Sequence, residues 1–194
     1  MTWKNEQVSE KETTRILELA RECLDVRGDY VEMGCYRGDT SLLLAEILQG
    51  YNRDVAVEKL VKKLWIYDSF EGLPGKSAND ESVLGVNFKS GELLVTKREV
   101  KERFLRAGLP VPVIKKAWFK DLTSDDLPPE IAFAFLDGDF YESIRDSLEL
   151  VVPKMNDKGV IVVHDYTNPA LPGVKRAVDE LINIDNAKFR MVLL

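Results

Sequence analysis

Residues 30–41 read Tyr-Val-Glu-Met-Gly-Cys-Tyr-Arg-Gly-Asp-Thr-Ser. A short apolar run carries one acid and ends in glycines at 34 and 38. An acid and two hydroxyls then lead into Leu42, Leu43, Leu44 and Ala45. This is the pattern of a strand, a tight turn and the start of a helix. In an open α/β sheet, ligands bind at the carboxyl end of such a strand. The spacing Gly34-x-x-x-Gly38 is common, so its meaning depends on the rest of the chain.

Outward from this stretch, strands and helices alternate. Ser9 and Glu12 are spaced as a capping box. Ile16, Leu17, Ala20, Cys23 and Leu24 then share a helical face, with Gly28 as the expected stop. This segment, 1–28, is expected to pack across a sheet edge or over the ligand site. Asp29–Gly34 reads as strand one, and Asp39 as the N-cap of a helix from Thr40 to about Leu48, ended by Gly50. Asn52–Lys63 reads as a loop with a helical turn, Leu64–Asp68 as strand two, and 69–80 as a glycine- and proline-bearing loop continuing to about Lys89. Thr96–Ala107 reads as a helix with Val100, Phe104 and Leu105 inward, ended by Gly108. Val111–Lys115 reads as strand three. Ile131–Asp137 is nearly all apolar, as a strand buried on both faces should be. Tyr141, Ile144, Leu148, Val151 and Val152 form a helical stripe stopped by Pro153. Val160–Val163 is the next strand, a helix starts at Pro172, and Phe189–Leu193 is the last strand. The expectation is one α/β domain over 1–194, a mostly parallel sheet with helices on both faces.

The 194 residues are 45% hydrophobic and 31% charged, as in a soluble globular domain. The net charge of -6 disfavours a nucleic-acid surface and suits a neutral or cationic ligand. Two cysteines, Cys23 and Cys35, give no disulfide framework, which points to a reducing compartment such as the cytoplasm. The sequence holds no membrane-length apolar run and no apolar signal-peptide core.

A dinucleotide loop needs glycine where Tyr36 stands, so that backbone can approach the pyrophosphate. Asp39 would also repel phosphate at the helix start. NAD, FAD and nucleotide-sugar chemistry are therefore disfavoured. S-adenosylmethionine (SAM) carries a sulfonium and an ammonium instead. It tolerates Tyr36 and is attracted by Glu32, while Asp68 ends strand two where an acid can accept both ribose hydroxyls. Trp118 and Phe119 are candidates for an adenine platform.

A second group lies at the ends of the next strands, in Leu136-Asp137-Gly138-Asp139 and Val163-His164-Asp165. Neighbouring strands are about 4.8 Å apart, which would bring Asp137, His164 and Asp165 together as ligands of a divalent metal. Such a metal could chelate substrate oxygens and lower a hydroxyl's pKa. Asp139 reads more readily as the cap of the following helix than as a base. Cys35 has no histidine partner and is not read as a nucleophile.

The segments VEMGCYRGDTS, LWIYDSFEGLP, AWFKDL, FLDGDFYES and HDYTNPALPGVKRAVDEL resemble, in order and spacing, the macrocin O-methyltransferase-like family. The resemblance covers roughly 29–181. It implies a Rossmann-like methyltransferase fold and a SAM-dependent, metal-dependent O-methyltransferase acting on a sugar or similar polyhydroxylated acceptor. It implies Glu32, Gly34, Arg37 and Ser41 along the methionine half of SAM, Asp68 and Ser69 at the ribose, and Trp118 and Phe119 at the adenine. Asp137, His164 and Asp165 would hold the metal, magnesium or manganese. Asp137 or Asp139 would serve as base, and the loop bearing Phe70, Glu71 and Leu73 would close over the substrate.

Two features depart from the family's pattern. Its members carry two consecutive acids where this chain has His164-Asp165, and a histidine ligand suits manganese, iron or cobalt better than magnesium. They also finish the sheet with a strand pair, so a second subunit, as in a homodimer, could complete this edge. The rival reading is a SAM-binding module without methyl transfer.

Overall fold

The structure is a computed structural model that describes residues 7–55, 61–82, 84, 88–181 and 188–194. Six strands form one sheet: β1 (Asp29–Met33), β2 (Leu64–Asp68), β3 (Val113–Lys116), β4 (Ile131–Leu136), β5 (Met155–Val163) and β6 (Arg190–Leu193). Their order is β3-β2-β1-β4-β5-β6, and every pair is parallel. The order reverses between β1 and β4, which makes the crevice beyond these two strands the place for a ligand.

Among the described residues, five α-helices cover the sheet: α1 (Glu10–Glu22), α2 (Asp39–Asp54), α3 (Lys97–Ala107), α4 (Tyr141–Val151) and α5 (Pro172–Leu181). Ile16 and Leu19 of α1, Leu42 of α2 and Val100 and Phe104 of α3 pack on the face that presents Tyr30, Phe133 and Phe135. Ile144 and Leu148 of α4 and Val174 and Val178 of α5 pack on the opposite face, against Val31, Met33, Ala134 and Leu136. Side chains alternate between the two faces along β1 and β4, and both faces are apolar. Hence β4, fully buried, reads as an unbroken apolar run.

Several boundaries differ from expectation for local reasons. Gly50 does not stop α2; nothing lies within 4 Å of its missing Cβ, and the helix continues to Asp54. The N-cap of α2 is Gly38 in the left-handed region, so Asp39 is the first helical residue. α1 ends at Glu22, before Gly28, and Leu19 joins its buried face. Leu105, expected inward on α3, is 60% exposed. β3 is Val113–Lys116, displaced toward the C-terminus, and β5 begins at Met155. The 69–80 loop ends in a turn of 3-10 helix at Ala78–Asp80. Part of the expected loop at 52–63 and Ile182 of the expected last helix lie outside the described residues.

Gly28 serves the strand start rather than the helix end. Its φ is +116°, and a Cβ there would fall 2.8 Å from the Glu130 carbonyl and the Ala132 amide. Gly28→Ala should therefore lower stability by about 1–3 kcal/mol, from backbone strain and forced separation of β1 and β4. Chemical denaturation measures this; an unchanged midpoint would contradict the close approach.

Candidate active site

The strand register brings the site together. Met33 pairs with Tyr67 on one side and Leu136 on the other, and Leu136 pairs with Val163. The ladder then runs one residue past the strands. Gly34 N–H donates to the Tyr67 carbonyl, Asp137 N–H to Met33, and His164 N–H to Leu136. Asp68, Gly34, Asp137 and His164 therefore stand side by side at one edge. Four residues with side chains take positive φ just beyond these strand ends: Tyr36, Phe70, Asp139 and Asp165. Left-handed backbone is costly for Tyr and Phe, and such strain gathers at functional sites.

These ends line a cavity of about 550 Å³, in the size range of small-molecule sites. Of the expected site residues, Glu32, Gly34, Arg37, Asp68, Ser69, Trp118, Phe119, Asp137, Asp139, His164 and Asp165 all border it. Ser41 is set back from the wall; it is fully buried and its hydroxyl donates to Glu32. Gln7 and Val8, just before α1, also border the cavity, so the N-terminal segment reaches the ligand site. No signal in residues 7 and 8 marks this in the sequence.

Asp68 has a larger structural part than a ribose acceptor. Its Oδ2 accepts from the Cys35 and Tyr36 amides at 2.9 and 3.2 Å, and its Oδ1 accepts from the Phe70 amide at 2.7 Å. A carboxylate offers about four acceptor positions. Three hold the glycine turn and the next loop in shape, which leaves one for a ligand hydroxyl rather than the two expected. Asp39 is likewise engaged, ion-paired with Arg103 of α3. Its charge is compensated, so it repels phosphate less than the sequence implies.

Glu32 is buried at 1% exposure. Burial pushes its carboxyl up to about 8, against the Ser41 hydrogen bond, and the charges of Asp137 and Asp68 add to the rise. Burial likewise raises the Cys35 thiol well above its usual value, which removes it as a nucleophile at neutral pH. Asp139 is not the cap of α4, whose N-cap residue is Phe140. The residue borders the cavity, and its carboxyl is raised well above the usual range by burial and by the charges of Asp137 and Asp165.

His164 Nδ1 lies 2.9 Å from Asp137 Oδ1 and 3.0 Å from Asp165 Oδ2. Burial pulls its pKa down, but the charge of and hydrogen bonds to these carboxylates outweigh it and hold the imidazole up at about 11. Glu12 of α1 approaches the other ring nitrogen at 4.0 Å. One ligand atom each of Asp137, His164 and Asp165 lie within 4.8 Å of one another. Two carboxylates and an imidazole this close could hold a divalent ion once the imidazole gives up its proton.

Sheet order, helices on both faces and a cavity at the β1–β4 reversal define a Rossmann-like, doubly wound fold. The solved O-methyltransferase NovP superposes with a TM-score of 0.75 over 88% of this chain and 70% of that one, at 29% identity. The calicheamicin methyltransferase CalS11 shares the fold, with a TM-score of 0.71 at 19% identity, over 94% of this chain and 74% of that one. The chain belongs to the macrocin-O-methyltransferase (TylF) family, whose model matches residues 13–191. Among relatives, 8-demethyl-8-(2,3-dimethoxy-alpha-L-rhamnosyl)-tetracenomycin-C 4'-O-methyltransferase of Streptomyces olivaceus is 33% identical over 146 residues. These are 73% of this chain and 54% of that protein. Demethyldecarbamoylnovobiocin O-methyltransferase of Streptomyces niveus is 31% identical over 176 residues, 84% of this chain and 64% of that protein. The chain thus spans between half and two thirds of the length of these relatives. No helix among the described residues is long and apolar enough to cross a membrane.

The raised Glu32 carboxyl has a consequence for stability. The unfolded chain releases this proton near 4.5 and the folded chain near 8, so between these values the folded state holds more protons and stability falls as pH rises. Glu32→Gln, a neutral isostere that still accepts from Ser41, should raise Tm over the natural protein more at pH 8 than at pH 5. An equal effect at both pH values would contradict the buried, proton-holding carboxyl.

Proposed function

We propose that this chain is a SAM-dependent O-methyltransferase that methylates a hydroxyl of a sugar or similar small polyhydroxylated acceptor, with a divalent metal at Asp137, His164 and Asp165. One observation carries the reading. Glu32 and Asp68 flank a glycine turn in the same cavity that brings Asp137, Asp139 and His164 together. The names of the relatives support methyl transfer to oxygen, and the rhamnosyl-bearing substrate in one name supports a sugar acceptor.

When bound, SAM would supply an electrophilic methyl group on a sulfonium. Glu32 holds its proton at neutral pH and would release it as the sulfonium and ammonium settle nearby, because an opposite charge favours the ionised carboxylate. Gly34 lets the turn close against the Asp137 carbonyl, and the amino-acid part would lie along this turn with Arg37 beside it. The one free position on Asp68, with Ser69, faces the ribose side. Trp118 and Phe119, both half-buried, offer flat surface for the adenine. A metal held by Asp137, His164 and Asp165 would orient acceptor oxygens and lower a hydroxyl's pKa. Asp139 would take the proton: it borders the cavity with no helix end to cap, and a cation bound beside it would favour the carboxylate form that a base needs. The loop at 69–75, which borders the cavity, would limit water, and alignment would supply much of the rest of the rate.

Methyl transfer from labelled SAM to a panel of nucleotide-linked and free sugars tests this directly. Asp139→Asn should keep S-adenosylhomocysteine affinity and lose about 100-fold or more in kcat, the usual weight of a general base. Undiminished turnover in Asp139→Asn would remove that role, and ligand binding with no transfer to any acceptor would favour the binding-module reading.

The imidazole among the ligands makes a prediction about the ion. Chelation should abolish turnover, manganese should restore it better than magnesium, and His164→Asp should move the preference toward magnesium, by about tenfold or more in half-saturating concentration. Full turnover after chelation would contradict a metal and leave the positive charge between Asp137 and Asp165 to His164 itself.

A further inference from the structure

Asp80 is a buried carboxylate, 2% exposed, in the loop between β2 and α3. Its Oδ1 accepts from the Tyr141 amide, the first residue of α4, at 2.7 Å. Its Oδ2 accepts from the Ser77 amide at 2.9 Å and the Ser77 hydroxyl at 2.7 Å. The start of α5 closes in from the other side: a Cβ on Gly173 would lie 1.9 Å from Asp80 Oδ1. Arg176 of α5 donates to the Asn79 carbonyl at 2.6 Å, which fastens the same turn. The N-terminal ends of α4 and α5 thus meet on one carboxylate, where their dipoles favour negative charge.

The helix served in this way has no cap of its own. Phe140 occupies the N-cap position of α4 and makes no side-chain cap bond. Asp139, next to it, has the side chain that would do the work, since Asp is among the best N-caps. If the helix began one residue earlier, Asp139 could take the Tyr141 N–H that Asp80 now holds. Asp139 instead has φ +61°, a backbone conformation unlike that of a typical N-cap; the residue borders the cavity, and its carboxyl feels the charges of Asp137, Asp165 and His164.

We propose that Asp80 is a positioning residue that caps α4 in place of Asp139, and so keeps the Asp139 carboxylate turned into the cavity. The inference rests on the proposed methyltransferase reading for what Asp139 does there. The competition for the Tyr141 amide stands without it. It also accounts for the Pro172-Gly173-Val174 segment: the residue at 173 lacks a Cβ because the Asp80 carboxylate fills that space.

Crystal structures and kinetics of Asp80→Ala test this. Asp139 should rotate out of the cavity and bond the Tyr141 amide, with φ returning to the β region. kcat should fall about tenfold or more while S-adenosylhomocysteine affinity stays within about twofold, and adding Asp139→Asn should cause little further loss, because both changes remove one function. Asp80→Asn keeps an acceptor for Tyr141 and should retain Asp139 in place with a smaller loss. Gly173→Ala, which drives a methyl into Oδ1, should reproduce the Asp80→Ala signature and serves if that variant does not fold. Asp139 still facing the cavity in Asp80→Ala or Gly173→Ala overturns the proposal, as does a kcat loss fully additive with Asp139→Asn. The crystallographic readout holds even if the natural protein transfers no methyl group, so failure of the activity and failure of the capping exchange are told apart.

Discussion

Everything at the site depends on how closely the ends of β1 and β4 approach. A Cβ on Gly34 would lie 2.1 Å from the Asp137 carbonyl oxygen, a separation no side chain allows. With φ at +89°, Gly34 turns the chain away at that point, and the Asp137 amide bonds back to Met33. The turn that would receive the methyl donor and the strand end that carries the acids are thereby locked together. Asp68 then fixes the turn from the other side through two amide bonds, and the first residue after β5 brings His164 into the same row.

The electrostatics follow from this crowding. Glu32, Asp68, Asp137, Asp139 and Asp165 all border one cavity, and burial, with the neighbouring carboxylates adding to it, raises the carboxyls of Glu32 and Asp139. Cations oppose that rise. His164 does so within the chain, and a sulfonium, an ammonium or a divalent ion would do so from outside. This gives a physical basis for binding positively charged ligands at the topological switch point of a Rossmann-like sheet, where fully phosphorylated cofactors are the more familiar occupants.

The fold was legible because its signals are strong and repeated. The apolar run of β4, the stripe on α4, and the glycine turn after β1 each arise from burial on two faces or one, and burial leaves a periodic trace. The strand-end acids were legible for the same reason, since position at the carboxyl end follows once the strands are found. Other features depend on contacts between distant residues, which leave no local trace. Asp139 looks like a helix cap because the residue that does the capping, Asp80, lies 61 positions earlier. Ser41 looks like a ligand residue, yet its side chain is turned to Glu32 behind the wall. Asp68 looks like a free acceptor until the Cys35, Tyr36 and Phe70 amides are seen to occupy it. Gly50 looks like a helix end, but glycine in an open exposed turn lacks the packing that would enforce one. Gln7 and Val8 reach the cavity only because α1 packs beside β5 and α2.

The central claim is that the edge formed by Gly34, Asp68 and Asp137 receives the methyl donor. A crystal structure of the protein with S-adenosylhomocysteine tests it most directly. The amino-acid part is predicted to lie over Gly34 near Glu32, with the ribose at Asp68 and the adenine against Trp118 and Phe119. Failure to bind, or a ligand seated away from the β1–β4 crevice, would contradict the account.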